Sequence, residues 1–178
     1  MEIPVLTTKR LLLRAFVDDD LDAFAAITAD PEVNRYLGDG KPLDRASAWR
    51  SMATILGHWQ LRGYGTWALV ERAGGQLVGR AGLHNPEGWP GLEVGWLVAR
   101  DRWGQGLATE AGRAALDYAF DVVGADHVLS VIDPGNAASI RVAERLGETF
   151  ERQVELTVSR HLVSLYGIPR SRWQPSTP

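Results

Sequence analysis

The sequence predicts a mixed α/β fold: a mostly antiparallel sheet with a central parallel strand pair, flanked by helices. Short segments of alternating apolar residues are interleaved with longer ones in which apolar residues recur every three or four positions. Their order is β-α-α-β-β-β-α-β-α-β-β, with hairpin-length links between several neighbouring strands. The strands Leu92–Val98 and His127–Val131 are joined through a long helix, so they are expected to be parallel neighbours.

A chain of 178 residues, 45% hydrophobic and 23% charged, suits one globular domain with its own core. Its net charge of −3 gives no electrostatic case for nucleic acid or an anionic membrane as partner. Cysteine is absent, which excludes disulfides, thiolate metal ligands and a cysteine nucleophile. The histidines lack metal-ligand spacing, so no metal site is expected. MEIPVLTTKR has no apolar signal core, and no run approaches the roughly 18 apolar residues of a membrane span, so a cytoplasmic protein is expected.

Taken in order, Leu11–Phe16 reads as the first strand. Asp18, Asp19 and Asp20 offer an N-cap and an acidic first turn to a helix with Leu21, Phe24, Ala25 and Ile27 on one face, ending by Asp30-Pro31. A short helical segment over 32–37 is broken at Gly38-Asp39-Gly40-Lys41-Pro42. Asp44 opens a helix to about Arg62 with Ala48, Met52, Ile55 and Trp59 on its inner stripe; Trp49, Trp59 and Tyr64 are expected to pack in the core or at its edge. Strands over 66–71 and 76–84 enclose the hairpin signal Arg72-Ala73-Gly74-Gly75. On the central strand Leu92, Val94, Trp96 and Val98 alternate with Glu93, Gly95 and Leu97, so Glu93 faces away from Trp96. The helix from Gly106 carries Leu107, Ala111, Ala114, Tyr118 and Val122 on one stripe. Asn136–Leu146 is a helix closed by Gly147. Segments 150–158 and 160–166 form a closing hairpin, and 168–178 is a Pro/Ser-rich tail expected to be loosely held.

Residues 91–123, GLEVGWLVARDRWGQGLATEAGRAALDYAFDVV, carry the chemistry. A strand passes through Arg100, Asp101, Arg102 and Trp103 to Gly104-Gln105-Gly106 and directly into a helix. Gly tolerates positive φ, and the free N–H groups and dipole of a helix N-terminus favour an anion. The turn is thus either a plain strand-to-helix corner or a phosphate site, and Arg100 and Arg102 beside it favour the second. A Rossmann fingerprint fails because Thr109 stands at the third glycine position, and a P-loop fails because Pro42 follows Lys41.

Trp103-Gly104-Gln105-Gly106-Leu107-Ala108 resembles the acyl-CoA pyrophosphate loop, Gln/Arg-x-x-Gly-x-Gly/Ala, of the GNAT superfamily of N-acetyltransferases. Trp in first position and the following Ala-Thr-Glu-Ala resemble the ribosomal-protein N-acetyltransferase (RimJ/RimL-type) branch. A second motif of that branch, Asn-x-x-Ser-Ile-Arg-Val-x-Glu-x-Leu-Gly, stands at Asn136–Gly147, and the resemblance covers about residues 6–173. It implies a single N-acetyltransferase domain over 1–178, with its core over about 6–168. It further implies that the central parallel strands splay apart to admit the pantetheine arm of acetyl-CoA.

The resemblance implies roles residue by residue. The backbone of Gly104, Gln105, Gly106, Leu107, Ala108 and Thr109 would hold the pyrophosphate, with Arg102 and Trp103 beside it. Leu97 and Val98 would pair with the pantetheine and supply an N–H to the thioester carbonyl. Asn136, an N-cap by its residue type, would also bond the pantetheine. Ser139 would lie near the sulfur, and Arg141 near the 3′-phosphate, whereas Arg145 is expected to solvate its helix. Many members protonate the departing thiolate with a Tyr where Ala143 stands here, which leaves Ser139 or water for that task. Glu93 is the candidate general base, because an ammonium acceptor must lose a proton before attack; the alternative is a structural Glu paired with an Arg. Trp89 and the loop 85–90 could wall the acceptor site. The family commonly has Gly-Phe after the second motif's helix; here Glu148 follows Gly147, and Phe150 is expected to supply that packing.

The function implied is direct transfer of acetyl from acetyl-CoA to a primary amine, on a protein N-terminus or a small molecule. The alternative is a non-catalytic acyl-CoA-binding regulatory module. A homodimer is left open by the tryptophan content.

Overall fold

The structure, a computed structural model, describes residues 2–157 and 160–175. Among the described residues, eight strands form one sheet in the order β1-β2-β3-β4-β5-β6-β8-β7. These are β1 (Leu6–Thr7), β2 (Leu11–Arg14), β3 (Thr66–Glu71), β4 (Leu77–His84), β5 (Glu93–Val98), β6 (His127–Ile132), β7 (Thr149–Glu155) and β8 (Leu162–Pro169). Only β5 and β6 pair in parallel. The helices are α1 (Leu21–Thr28), α2 (Pro31–Asn34), α3 (Arg45–Arg62), α4 (Leu107–Tyr118) and α5 (Ala137–Arg145).

The alternation along the strands sends apolar side chains to both faces, and each face is covered by helices. On one, Leu83, Val94 and Val98 pack against Leu107, Ala111 and Leu116 of α4. Gly112 sits so close to α5 that a Cβ there would lie 2.8 Å from the Leu146 Cδ1. On the other, Phe24 of α1 and Ala48 and Met52 of α3 close over Phe16 and Ala68. Each fully buried Leu or Phe contributes on the order of 1.5–3 kcal/mol.

Helix α3 begins and ends as its sequence signals predict: the Asp44 carboxylate accepts the Ser47 N–H, and Gly63 closes the helix at φ 77°. Trp59 is buried and donates its Nε1–H to the Thr66 carbonyl, but Trp49, expected to be packed, is 51% exposed. The Asp18–Asp20 triplet forms a 3-10 turn, and Asp20 does not cap α1. Its carboxylate instead takes two bonds from Arg14, at 2.6 and 2.7 Å, and one from the Val17 N–H, a charge-assisted fork that outweighs a lone cap bond.

Three further expectations are corrected. After Tyr118 the helix continues as a π turn over Ala119–Val123, and the extra residue rotates Val122 outward (66% exposed) and Phe120 inward. The tail is tied down through Trp173: Arg170–Arg172 forms a 3-10 turn, the Trp173 ring lies 5.6 Å from that of Phe120, and its Nε1–H donates to Asp117. Phe150 is 54% exposed and leans on Tyr166, so it does not fill the place of the missing Phe; the buried residue after α5 is Glu148. Val158, predicted to end a strand, lies outside the described residues.

The parallel pair is joined at a single register position, Glu93 opposite Leu129, where the Leu129 N–H donates to the Leu92 carbonyl. One residue on, the Ser130 hydroxyl rather than a main-chain amide donates to the Val94 carbonyl, at 2.9 Å. The two strands part there, as the resemblance implied.

Candidate functional site

A cleft of about 580 Å³ opens where β5 leaves β6. Its floor is Trp96, Leu97 and Val98; one wall is the glycine turn and the first residues of α4; the other is α5. That volume suits an extended small ligand. Gly104 and Gly106 adopt φ 74° and 79°, the left-handed region in which glycine is favoured, and they aim the helix N-terminus into the cleft. Nothing crowds Gly104. The Thr109 hydroxyl is buried there without a hydrogen-bond partner among the described residues.

Of the expected binding residues, Leu97, Val98, Arg102, Trp103, Gly104, Gly106, Leu107, Ala108, Thr109, Asn136, Ser139 and Arg141 line this cleft. Gln105 is not among its lining residues: its carbonyl accepts from Arg10 Nη1 at 2.8 Å, and its amide donates to the Asp101 carbonyl. Arg10 was not anticipated. It lies 95 residues away, bonds Glu110 through Nε, and brings positive charge under the turn. Arg102 is already engaged, with Nε on Glu71 at 3.1 Å and Nη1 on Asp101 at 2.6 Å, so it does not offer the free phosphate fork that its position suggested. Arg145, expected to face solvent, lines the cleft together with Arg35.

The strand edge differs from expectation by one residue. Main-chain groups alternate along a strand, and the carbonyls of Leu92, Val94 and Val98 all turn away from β4, accepting from Leu129, Ser130 and the Trp103 indole. The gap-facing N–H groups therefore belong to Trp96 and Val98. The Leu97 N–H faces β4, where Leu97 stands opposite Arg80. On α5, Asn136 Oδ1 accepts the Ser139 N–H at 3.1 Å, which leaves its Nδ2 available. The Ser139 hydroxyl accepts from Trp96 Nε1 at 3.3 Å, so strand and helix are tied across the cleft.

Glu93 lies on the opposite face of β5 and does not line this cleft. Trp89 Nε1 donates to its Oε2 at 2.8 Å, which turns the expected acceptor wall into an anchor for the carboxylate. Loss of hydration pushes its pKa up to about 7, against the opposing pull of the Trp89 bond, the Val131 N–H and the more distant Arg80 charge. The buried Arg80 guanidinium on β4 attracts the Glu93 carboxylate, so the alternative of a structural Glu paired with an Arg stands beside the base reading. Opposite it on β4, His84 is driven by burial down to about 4, helped by His58 and Arg80, and is neutral near pH 7. His84 stacks on His58 at 5.3 Å and meets the Trp89 ring edge-on. His58 has both nitrogens engaged: Nδ1 on the Tyr64 carbonyl and Nε2 accepting the Asn85 N–H, which assigns the neutral Nδ1–H tautomer.

β5 thus carries two polar sites on opposite faces: the cleft with the glycine turn on the α4–α5 side, and a buried carboxyl beside Trp89 and His84 on the other. Among the described residues no His, Cys, Asp or Glu cluster could hold a metal ion, and no helix is long and apolar enough to cross a membrane.

Comparison with known proteins gives consistent results. The family model described as an acetyltransferase (GNAT) domain matches residues 10–149. YkkB of Bacillus subtilis (strain 168), described as uncharacterized, is 34% identical over 84% of this chain and 87% of its own length. The crystal structure of an acetyltransferase from Agrobacterium tumefaciens str. C58 is 30% identical, with a TM-score of 0.82 over 94% of this chain and 95% of that one. RimL, a ribosomal L7/L12 alpha-N-protein acetyltransferase solved with coenzyme A, shares the fold at a TM-score of 0.78 and 16% identity, over 93% of this chain and 98% of its own.

Proposed function

The chain belongs to the GNAT family, acetyl-CoA-dependent acetyltransferases, and from that premise we propose that it transfers acetyl directly to a primary amine. The observation that carries this reading is the arrangement about β5: an anion cradle on one face, and on the other a carboxyl whose pKa of about 7 suits a general base.

Acetyl-CoA would supply an acetyl group activated as a thioester. The N–H groups of residues 104–109 and the Thr109 hydroxyl suit its diphosphate, and the N–H groups of Trp96 and Val98 suit the pantetheine and the thioester carbonyl. Asn136 Nδ2 serves the pantetheine, and Arg141 the outer phosphate. The amine arrives from the α1–α3 side, where Glu93 accepts its proton at a carboxylate oxygen. Neutral His84 and the Trp89 ring shape that approach without adding charge. With a pKa of about 7, close to half of Glu93 is ionised at neutral pH. The Ser139 hydroxyl, its lone pair steadied by Trp96, is the proposed donor to the departing thiolate. The absence of cysteine favours one-step transfer over an acyl-enzyme. The acceptor is a small-molecule amine or a protein N-terminus.

The test is calorimetric titration with acetyl-CoA, followed by a panel of primary amines with thiol release as readout. Saturable binding and amine-dependent release are expected. Binding without release on any amine would leave a non-catalytic module, and absence of binding would overturn the reading.

A further inference from the structure

Glu148 stands where α5 gives way to β7. It is 2% exposed, and its N–H is bound to the Ala143 carbonyl. Its Oε1 lies 3.1 Å from the Ser130 hydroxyl, and its Oε2 has no hydrogen-bond partner. Ser130 Oγ also lies 2.9 Å from the Val94 carbonyl. A hydroxyl has one proton, and a carbonyl can only accept, so the Ser130 proton belongs on Val94. The contact with Glu148 is then a hydrogen bond only if Glu148 is the donor, as a neutral acid.

The surroundings agree. The charges acting on Glu148 are carboxylates, Glu93 on β5 and Glu151 on β7, and burial together with these holds it well above the usual carboxylate range. Glu151 is bonded to His127 of β6 at 2.6 Å. The Arg172 guanidinium, near the C-terminal turn, is directed at the Gly147 carbonyl and the Thr149 hydroxyl.

In a regular parallel ladder the Val94 carbonyl would take the Val131 N–H. Here Ser130 supplies the donor, and the Val131 N–H is placed near the Glu93 carboxyl, where it favours the ionised form. We propose that Glu148 is a positioning residue: as a neutral acid it holds the Ser130 hydroxyl on the Val94 carbonyl, keeps β6 from zipping onto β5, and thereby frees the Val131 N–H for Glu93. An ionised Glu148 would draw the Ser130 proton to itself, and the abandoned carbonyl would reclaim Val131. This inference rests on the reading that acetyl-CoA enters between β5 and β6.

Two readouts test it. The first needs no ligand: infrared spectra of protein carrying carbon-13 glutamate, at about pH 9, where exposed carboxyls and Glu93 are ionised. A protonated carboxyl stretch that disappears in Glu148→Gln is expected; its absence from the unmodified protein overturns the inference. The second uses acetyl-CoA affinity and the acid limb of the kcat/KM profile. Glu148→Gln keeps an N–H donor and is expected to restore affinity to within about twofold, with the limb unmoved. Glu148→Leu and Ser130→Ala are expected to weaken acetyl-CoA binding about tenfold, the scale of one lost buried hydrogen bond, and to move the limb upward as Glu93 loses Val131. Glu148→Gln that moves the limb downward would mean a charged Glu148, and unaltered binding in both Glu148→Leu and Ser130→Ala would mean that the fork does not need it; either result sinks the proposal. Should Glu148→Leu fail to fold by circular dichroism, Ser130→Ala and the infrared band still decide. Should the unmodified protein not bind acetyl-CoA, the acetyl-transfer reading fails, and the band still reports separately on Glu148.

Discussion

On the α4–α5 side of β5 the polar groups at the cleft combine main-chain amides, at the glycine turn and the strand edge, with the side chains of Asn136, Ser139, Arg141 and Arg145. On the other side they are side chains, Glu93, His84, His58 and Trp89, brought together from β4, β5, α3 and a loop. Amides carry fixed dipoles that pH does not change, so the first side can hold an anion over a wide pH range. The second depends on where one carboxyl titrates, and hydration, aromatic neighbours and a distant arginine set that point. In the proposed reaction, cofactor binding and removal of the amine's proton thus draw on different materials on the two faces of one strand.

Substituting the glycine turn should separate the faces most sharply. Gly106→Glu forces a side chain into φ 79° and puts a carboxylate in the anion cradle. Acetyl-CoA affinity is expected to fall at least about 100-fold by calorimetry, because the added charge repels the diphosphate and a distorted turn misaims its N–H groups. The Glu93 region should remain as it is in the parent.

Next in size is Glu93→Gln. Removal of a general base should lower kcat/KM by about 10²–10⁴, with acetyl-CoA affinity nearly unaltered. Stability should move the other way. The folded pKa of about 7 lies above the unfolded value near 4.5, so between these limits the native state binds more protons, and stability falls as pH rises through that window. The variant lacks this loss and should be more stable at pH 8, by about 3 kcal/mol at most, measured by denaturant titration at pH 5 and 8. A variant as active as its parent would return Glu93 to a structural role.

A subtler probe is Trp89→Phe, which keeps the ring and deletes the bond to Oε2. The acid limb of kcat/KM should shift upward by about one pH unit, the worth of a hydrogen bond to a charged group. Smallest of all, Asp44→Ala removes the α3 cap, remote from both faces. It should cost about 1 kcal/mol of stability in thermal unfolding and leave acetyl-CoA affinity alone.

The same contrast explains what could be read from the chain beforehand. The glycine turn and the Asn136 cap are contiguous, and their signals are local: glycines with positive φ, then a helix. So are Asp44 and Gly63, which bound α3. The acceptor side depends on register, because only strand pairing shows that His84 stands opposite Glu93 and that Trp89 folds back onto it. Arg10 reaches the turn from 95 residues away, and no local pattern signals that. Val122 was misjudged because a π turn breaks the helical period, and Asp20 because a nearby Arg14 competes with the helix end for its carboxylate.

The single rung between β5 and β6 has a consequence for how the chain unfolds. Strands β1 to β5 pair in chain order, and β6, β8 and β7 form a second set; each set is knit at several register positions, the junction between them at one. The junction has the fewest ladder bonds to break, so it should be the first part of the sheet to open. Amide exchange should then show Leu129 less protected than Leu69 or Leu83 in the mid-sheet strands. The seam that the proposed reaction uses would also be where the chain begins to come apart.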